Sequence, residues 1–262
     1  MFHKSSFCDR YGPWAVVTGA SSGIGRAIVA VLAEKSLNLV LVARNRVALE
    51  RVAEDVESRF SVKTLIVDVD LSHSDGTQAI LSATEQLDVG LLVVSAGFGT
   101  SGPFLDASIE EETAMLDVNC RALMLQTHAF ANRFAKRGGG GVILLSSIVA
   151  FQGAPFASHY AATKSYVQAL ADGLSLELRS HGIDVLASAP GPTSTGFAER
   201  ARMKMGSAMS ADTVAQQTVA ALGRRSTVLP GGLSKLLGYS LAALPRWIRT
   251  RIMGSVMTGM TK

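Results

Sequence analysis

Short apolar runs alternate with amphipathic stretches along most of this chain. The runs are rich in Val, Leu and Ile, as is typical of strands that are buried on both faces of a parallel sheet. They lie at residues 14–17, 38–43, 62–67, 89–94, 142–145, 183–189 and 227–229. Between them, apolar residues recur at steps of three and four, which predicts helices. These helices are expected at residues 24–32, 45–60, 72–86, 109–136, 157–180 and 211–222.

The alternation predicts an α/β fold, with a single doubly wound parallel sheet of Rossmann type and helices on both faces. The chain has 262 residues, a length that one α/β domain reaches routinely. No linker, repeat or low-complexity tract divides it, so we expect one domain over residues 1–262. Ligands of such sheets bind beyond the carboxyl ends of the strands, where functional side chains are therefore expected.

Composition and charge exclude several classes of protein. The net charge of +4 is too small to indicate nucleic-acid binding, and it suits a phosphorylated cofactor or an acyl carrier. Cys8 and Cys120 are too far apart to predict a disulfide framework or a metal site. Residues 1–13 lack an apolar signal core, and no apolar run reaches the ~20 residues that span a bilayer. We therefore expect a cytoplasmic protein without a metal.

The first predicted strand ends in a turn rich in glycine. Gly19, Gly23 and Gly25 leave the backbone open to a close approach, and the following helix points its unpaired N–H groups at the turn. The positive end of the helix dipole favours an anion there. Ser21 and Ser22 add hydroxyl donors. The turn therefore predicts a phosphate-binding site.

The end of the second strand indicates which dinucleotide this site binds. In NAD-binding folds an acidic residue near this point binds the ribose 2′-hydroxyl. Here Ala43 replaces the acid and Arg44 follows, which removes a repulsion and offers a planar cation to a 2′-phosphate. NADP(H) is the predicted cofactor. The alternatives are that Arg44 is only an exposed strand-end residue, or that Arg46 shares its role.

Tyr160 and Lys164 lie four residues apart and so one turn apart on one face of a predicted helix. A carbonyl that accepts a hydride must also receive a proton, which a tyrosine can donate. A neighbouring lysine cation lowers the pKa of a tyrosine towards neutral pH. A serine hydroxyl beside the same oxygen can hold the carbonyl. By itself this pair is a weak signal, because such pairs are common on helix surfaces.

The motifs together resemble those of the short-chain dehydrogenase/reductase family. Residues 18–25 resemble its TGxxxGIG turn, and further motifs follow in order as far as residue 195. The resemblance implies that Tyr160 is the general acid in reduction and the base in oxidation. It implies that Lys164 lowers the Tyr160 pKa and contacts the nicotinamide ribose. It also implies that Ser147 orients the carbonyl and that Asn119 maintains a proton relay.

The resemblance also implies a cofactor site along the strand ends. Asp70 and Leu71 are expected at the adenine, although Ser72 could simply cap the next helix. Ser95 replaces the family's asparagine, so we expect a local change in how the fourth strand is held. The implied cofactor residues are Gly19, Ser21, Ser22, Gly23, Ile24, Gly25, Arg44, Asp70, Leu71, Ala96, Gly97, Tyr160, Lys164, Pro190, Gly191, Thr193 and Thr195.

Residues 193–210 match the segment that covers the substrate in this family. It contains Phe197, Met203, Met205 and Met209, and flexible Met side chains suit an apolar ligand. The opposite wall is expected from four aromatic residues near strand ends: Phe98, Phe104, Phe151 and Phe156. Together they favour a hydrophobic ketone over a sugar. His159 is interpreted as lining the substrate side or the surface, because adjacent helix residues point apart.

The pattern changes after residue 232 and predicts a C-terminal helical extension at about residues 233–262. Residues 233–244 are strongly apolar, and Pro245 ends that stretch. A helix follows with Ile248, Ile252, Val256 and Met260 opposite Arg246, Arg249 and Thr250. Such a basic amphipathic helix fits a subunit interface, packing on the substrate-covering segment, or contact with a membrane surface.

These inferences converge on an NADP(H)-dependent oxidoreductase. It would transfer hydride between the nicotinamide and a hydrophobic carbonyl or secondary alcohol. A 3-oxoacyl thioester (acyl-carrier) reductase is an alternative, and a non-catalytic dinucleotide-binding regulatory protein is another. The presence of Ser147, Tyr160 and Lys164 together disfavours the regulatory protein. The resemblance further implies a homodimer or homotetramer formed through the helices at 109–136 and 157–180.

Overall fold

The computed structural model describes residues 7–204, 208–232, 234–236, 240 and 243–260. Its strands are β1 Trp14–Thr18, β2 Asn38–Ala43, β3 Thr64–Asp68, β4 Val89–Val94, β5 Gly140–Leu145, β6 Ile183–Ser188, β7 Thr193–Ser194, β8 Met209–Ser210 and β9 Thr227–Val228. Seven of them form one sheet in the order β3-β2-β1-β4-β5-β6-β9, and every pairing in it is parallel. β7 and β8 pair separately. The predicted Rossmann-type sheet is confirmed.

Helices cover both faces of this sheet. They are α1 Phe7–Tyr11, α2 Gly23–Glu34, α3 Arg46–Arg59, α4 Gly76–Ala83, α5 Ile109–Leu116, α6 Leu123–Arg137, α7 Ser158–Glu177, α8 Phe197–Arg200, α9 Ala211–Ala221 and α10 Arg246–Met260. On one face Ile28 and Leu32 of α2 pack with α3 and α9 residues against the sheet. On the other face Phe130 and Phe134 of α6 pack with residues of α7. Alternate residues of each strand belong to the apolar clusters on opposite faces of the sheet, because successive side chains of a strand point to opposite faces.

The helix predicted over 109–136 is present and contains a π-helical turn. α5 ends at Leu116, the turn spans Asp117–Ala122, and α6 follows directly, with helical dihedral angles at both junctions. Asn119 lies in that turn and is buried, with its amide bound to the Phe98 backbone. π-helical turns of this kind occur often at functional sites.

Other boundaries differ by a few residues, and one element was not predicted. α1 lies in the N-terminal stretch that the polar composition left without structure. Its Tyr11 is buried and donates a hydrogen bond to Asp184 Oδ2 at 2.7 Å. α4 is shorter than the predicted 72–86, and α7 gives way to a 3₁₀ turn at Leu178–His181. Met205 and part of the apolar stretch 233–244 lie outside the described residues.

Cys8 and Cys120 are free thiols. Within the described ranges, no group of His, Cys, Asp and Glu side chains is arranged to hold a metal ion. No helix in the same ranges is long and apolar enough to cross a membrane.

Candidate active site

One cavity of about 570 Å³ runs along the carboxyl ends of the parallel strands. It joins the glycine turn after β1 to Tyr160 and Lys164 on α7. Almost all the residues predicted for the site line it: Gly19, Ser21, Ser22, Gly23, Ile24, Gly25, Arg44, Asp70, Leu71, Ala96, Gly97, Ser147, Tyr160, Lys164, Pro190, Gly191, Thr193 and Thr195. Asn119 is the exception, because it lies under the floor of the cavity.

The turn between β1 and α2 is built so closely that only glycine fits. Gly19 has φ +69°, and a Cβ on it would lie 2.9 Å from the Ala96 nitrogen. A Cβ on Gly25 would collide with the Gly19 carbonyl oxygen. Ser22 is the N-cap of α2, and its side chain makes no capping hydrogen bond. The N–H groups of the first helical turn are therefore available to an anion in the cavity.

The end of β4, where Ser95 replaces the family's asparagine, is held by the side chain of Thr18. Its hydroxyl oxygen accepts hydrogen bonds from the backbone N–H groups of Ser95, at 3.2 Å, and Ala96, at 3.1 Å. These bonds hold the end of β4 against the end of β1. The loop after β4 therefore keeps its place beside the glycine turn without an asparagine at 95.

Arg44 lies at the end of β2, with its guanidinium 3.3 Å from Asp70 Oδ2. Asp70 Oδ1 accepts from the Ser72 N–H at 2.9 Å and from its hydroxyl at 2.8 Å. Partial burial opposes ionisation, but the bonds from Ser72 and Arg44 hold the Asp70 pKa below its usual value. Ser72 does not cap the next helix, since the N-cap of α4 is Asp75. Arg46 pairs with Asp68 and Glu50 and does not line the cavity.

Ser147 and Tyr160 line the same part of the cavity. Burial raises the pKa of Tyr160 to about 12, and the nearby Ser147 hydroxyl lowers it in part. Lys164 Nζ lies 5.9 Å from the Tyr160 ring centroid and donates to the Leu145 carbonyl oxygen at 2.7 Å. Burial lowers the pKa of Lys164 to about 8. Burial is the largest effect on both pKa values, and the expectation that Lys164 lowers the Tyr160 pKa stays a prediction.

Packing fixes the orientation of the Tyr160 ring. The ring lies against Phe197 of α8, with centroids 5.4 Å apart. A Cβ on Gly99 would lie 2.8 Å from Phe197 Cζ and 3.0 Å from Tyr160 Cδ2, so Gly99 leaves room for both rings. Sequence reasoning missed Gly99, because no local pattern distinguishes it from a loop glycine. Ser146, the neighbour of Ser147, donates to the Lys164 carbonyl oxygen at 3.2 Å and so holds α7 against β5.

Asn119 holds the loop that follows β4. Its amide nitrogen donates to the Phe98 carbonyl oxygen at 2.8 Å and to Thr163 Oγ1 at 3.0 Å. Its amide oxygen accepts from the Phe98 N–H at 3.1 Å. A Cβ on Gly97 would lie 2.8 Å from that oxygen. The side chain therefore acts as a clamp between this loop and α7, and its part in a proton relay stays a prediction.

The end of the cavity beside Tyr160 has an apolar wall. The wall consists of Phe98, Phe197, Met203, Ile252, Met253, Val256, Met257 and Met260. Phe104, Phe151 and Phe156 were expected there but do not line this cavity, and Phe104 is 73 % exposed. Met209 instead pairs with Thr193 between β8 and β7. Phe104 and Phe151 lie in 3₁₀ turns, at Phe104–Asp106 and Ile148–Phe151.

Helix α10 closes this wall. Of the three roles considered for it, packing on the substrate-covering segment is the one seen, since the Lys204 N–H donates to the Met260 carbonyl oxygen at 2.7 Å. Arg249 donates to the Phe151 carbonyl oxygen at 3.3 Å. The helix therefore brings its Met-rich face over the cavity.

His159, which was expected on the substrate side or the surface, does not line this cavity. Its Nδ1 lies 2.5 Å from Oε2 of the buried Glu112, and Thr100 donates to Glu112 Oε1 at 2.6 Å. His159 lines a neighbouring cavity of about 430 Å³. Ala157 and Arg200 line both cavities.

Comparisons with known proteins agree with this geometry. A family model described as short chain dehydrogenase matches residues 13–206. A 7beta-hydroxysteroid dehydrogenase from Clostridium sardiniense is 27% identical over 234 residues, 88% of this chain and 90% of that protein. A very-long-chain 3-oxoacyl-CoA reductase-like protein from Arabidopsis thaliana is 37% identical over 186 residues, 69% of this chain and 60% of that protein. The structure of a short-chain dehydrogenase from Sphingobium yanoikuyae in complex with NADPH has a TM-score of 0.80 at 29% identity, covering 88% of this chain and 93% of that one.

Proposed function

This chain belongs to the short-chain dehydrogenase family and is an oxidoreductase that acts on hydroxyl or carbonyl groups, and from that premise we propose that it transfers hydride between NADP(H) and a hydrophobic carbonyl or secondary alcohol. One observation carries the proposal. A single cavity connects a phosphate-binding turn, an arginine at the end of β2, the Ser147–Tyr160 hydroxyl pair and an apolar wall. The turn and the arginine suit the phosphates of the cofactor, the two hydroxyl groups suit proton transfer, and the apolar wall suits the substrate.

The residues present fit a phosphorylated dinucleotide. The glycine turn packs closely against the loop after β4, and the first residues of α2, which have no side-chain cap, line the cavity. Arg44 lines the cavity where an NAD-binding fold has a carboxylate, which supports a 2′-phosphate as its ligand. Thr193, Thr195 and Lys164 would hold the nicotinamide half. When bound, NADPH supplies the hydride.

Tyr160 and Ser147 supply and control the proton. With a pKa of about 12, Tyr160 is protonated at neutral pH and can donate to the oxygen of a carbonyl as it becomes an alkoxide. Ser147 can donate a hydrogen bond to the same oxygen and so orient the substrate. In the reverse direction Tyr160 must first lose its proton, and its phenolate then accepts the proton of the alcohol.

The apolar wall and the relatives support a bulky hydrophobic substrate. Four Met and two Phe side chains beside Tyr160 suit a steroid-like or long acyl group and offer few partners to the hydroxyl groups of a sugar. The Clostridium relative, a 7beta-hydroxysteroid dehydrogenase, supports a steroid alcohol or ketone. The Arabidopsis relative supports the second candidate, reduction of a 3-oxoacyl thioester. The assembled Ser147–Tyr160 pair disfavours a purely regulatory protein.

A substrate panel tests the proposal. Purified protein is incubated with NADPH or NADH and with a steroid ketone, a 3-oxoacyl thioester, an aromatic ketone and a keto sugar, and loss of reduced-cofactor absorbance is followed. We expect turnover with NADPH on at least one apolar carbonyl and little on the keto sugar. Preference for NADH, or activity confined to the sugar, would contradict the proposal. Cofactor binding without turnover on any carbonyl would favour the regulatory alternative.

We also propose that the protein is a homodimer or homotetramer. The helices α5, α6 and α7 expose several large apolar side chains, namely Leu116, Met124, Leu125, Tyr166 and Leu176. Covering them with a second copy would remove apolar surface from water. Light scattering of the purified protein tests this assembly, and a monomer at all concentrations would contradict it. Contact of α10 with a membrane and a cytoplasmic location stay predictions.

A further inference from the structure

The cavity carries more positive charge than its recognised parts require. Among the described residues that line it, the cations are Arg44, Lys164 and Arg200, and the one carboxylate is Asp70. Lys164 is buried at the catalytic end and donates to a backbone oxygen. Arg44 and Arg200 are exposed and line the same cavity. This excess of positive charge in the cavity lining favours an anionic ligand.

Arg200 is held in place in the lining of this cavity. It is the last residue of α8, and its guanidinium carbon lies 4.2 Å from the centroid of the Phe98 ring, over the loop that follows β4. No carboxylate in the described part of the chain forms an ion pair with it, whereas Arg202 pairs with Glu111 at 3.7 Å. Stacking on an aromatic face fixes the plane of the guanidinium while leaving its N–H groups free to bind a ligand.

The segment that carries Arg200 reaches the phosphate-binding turn, since a Cβ on Gly23 would lie 3.2 Å from Thr195 Cγ2. Partial burial and the charge of Arg44 lower the pKa of Arg200, and Glu111 and Asp70 oppose this. Asp70, at 3.3 Å, already neutralises Arg44 in part. A doubly charged phosphate at Arg44 therefore needs a further cation, which only Arg200 among the described lining residues of this region can supply.

We propose that Arg200 is the second half of a phosphate clamp, which with Arg44 binds the 2′-phosphate of NADP(H) from the opposite side of the cavity. This inference rests on the proposed NADP(H) dependence. Arg44 comes from the sheet, but Arg200 comes from the segment that also packs Phe197 on Tyr160. Binding of the phosphate would therefore fix the substrate-covering segment next to the catalytic tyrosine. The contact between Arg200 and the 2′-phosphate would therefore both favour NADP(H) over NAD(H) and order the segment beside the substrate.

The test compares two arginines that lie two residues apart. The affinities of NADPH and NADH, and of the probes 2′,5′-ADP and 5′-ADP, are measured without substrate for the wild type, Arg200→Gln, Arg200→Lys and Arg202→Gln. We expect Arg200→Gln to weaken NADPH and 2′,5′-ADP by about 10-fold or more, the size of a lost charge-assisted hydrogen bond. NADH and 5′-ADP should change little, and Arg200→Lys should lose less than Arg200→Gln. Arg202→Gln should bind every ligand as the wild type does.

The outcomes separate this inference from the proposed function. A wild type without preference for NADPH would contradict the proposed cofactor and the clamp together. A wild type that prefers NADPH, with Arg200→Gln keeping the full preference, would overturn the clamp alone. Equal losses of NADPH and NADH in Arg200→Gln would also overturn it, because the contact would then be to a part shared by both cofactors. Unchanged thermal unfolding of Arg200→Gln shows that the comparison is made on folded protein.

Discussion

The backbone N–H of Lys204 donates to the carbonyl oxygen of Met260 at 2.7 Å. The bond joins the segment after β7 to the last turn of α10. Both elements line the cavity beside Tyr160, so the C-terminal helix and the segment that covers the substrate form one wall. The substrate-facing surface is therefore contributed largely by residues far in sequence from the catalytic motifs.

Met257 should control how tightly a bulky substrate binds. It is 2 % exposed and lines the cavity, so Met257→Ala removes apolar contact from the wall. We expect KM for a large apolar ketone to rise roughly 10-fold, which corresponds to about 1.4 kcal/mol of lost contact. NADPH affinity should stay the same. The control is Trp247→Ala on the same helix, since Trp247 is 61 % exposed and does not line the cavity. Equal effects of both variants would show that the change acts through the helix as a whole.

Tyr160→Phe should separate cofactor binding from chemistry. The variant keeps the ring that packs on Phe197 and removes only the hydroxyl group. We expect kcat to fall by about 10³-fold, within the usual range for loss of a general acid. Titration of NADPH fluorescence should give nearly the wild-type affinity. Substantial residual turnover would refute the assignment of Tyr160 as the proton donor.

Arg44→Ala should change cofactor preference, with Arg46→Ala as its matched control. The two side chains are equally exposed, at 58 % and 59 %, but only Arg44 lines the cavity. Loss of a charge-assisted bond to a phosphate should weaken NADPH by about 10-fold to 100-fold, with little effect on NADH. The measurement is the dissociation constant of NADPH and of NADH for the wild type and for both variants. A similar loss in Arg46→Ala would show that the two arginines share the phosphate.

Lys164 should make the stability of the protein depend on pH. Its pKa is lowered by burial to about 8 in the folded protein, against an ordinary value of 10.5. Between these values the unfolded chain binds the proton that the folded one has released, so stability rises with pH. From pH 7.5 to 9.5 this group should add on the order of 2 kcal/mol to the free energy of unfolding.

The measurement is denaturant unfolding across that pH range for the wild type and for Lys164→Met. The variant lacks the titrating group, so its rise in stability over the range should be smaller by that amount. Tyr160 does not interfere, because its pKa is raised to about 12 and its effect begins only above its ordinary value of 10.0. A wild type and a variant with parallel profiles would contradict the perturbed lysine.

The local pattern predicted the elements with strong periodicity and missed those decided by single contacts. The buried runs at 38–43 and 89–94 coincide with β2 and β4, because a strand covered on both faces must be apolar throughout. The π-helical turn around Asn119 was missed, and the contact of the Asn119 amide with the Phe98 backbone joins residues 21 positions apart. Tyr11 and α1 were missed for a similar reason, because the bond to Asp184 joins distant parts of the chain.

The sequence alone determined the parallel α/β sheet, the order of its motifs and the residue types at the strand ends. Spacing along the chain carries that information, because the periods of strands and helices and the one-turn separation of Tyr160 and Lys164 are local quantities. Only the tertiary structure decided which side chains share the cavity. Burial raised the pKa of Tyr160 where local reasoning expected a decrease, and α10 formed the wall assigned to Phe104, Phe151 and Phe156. Desolvation and the direction of a loop both depend on atoms that are distant in sequence.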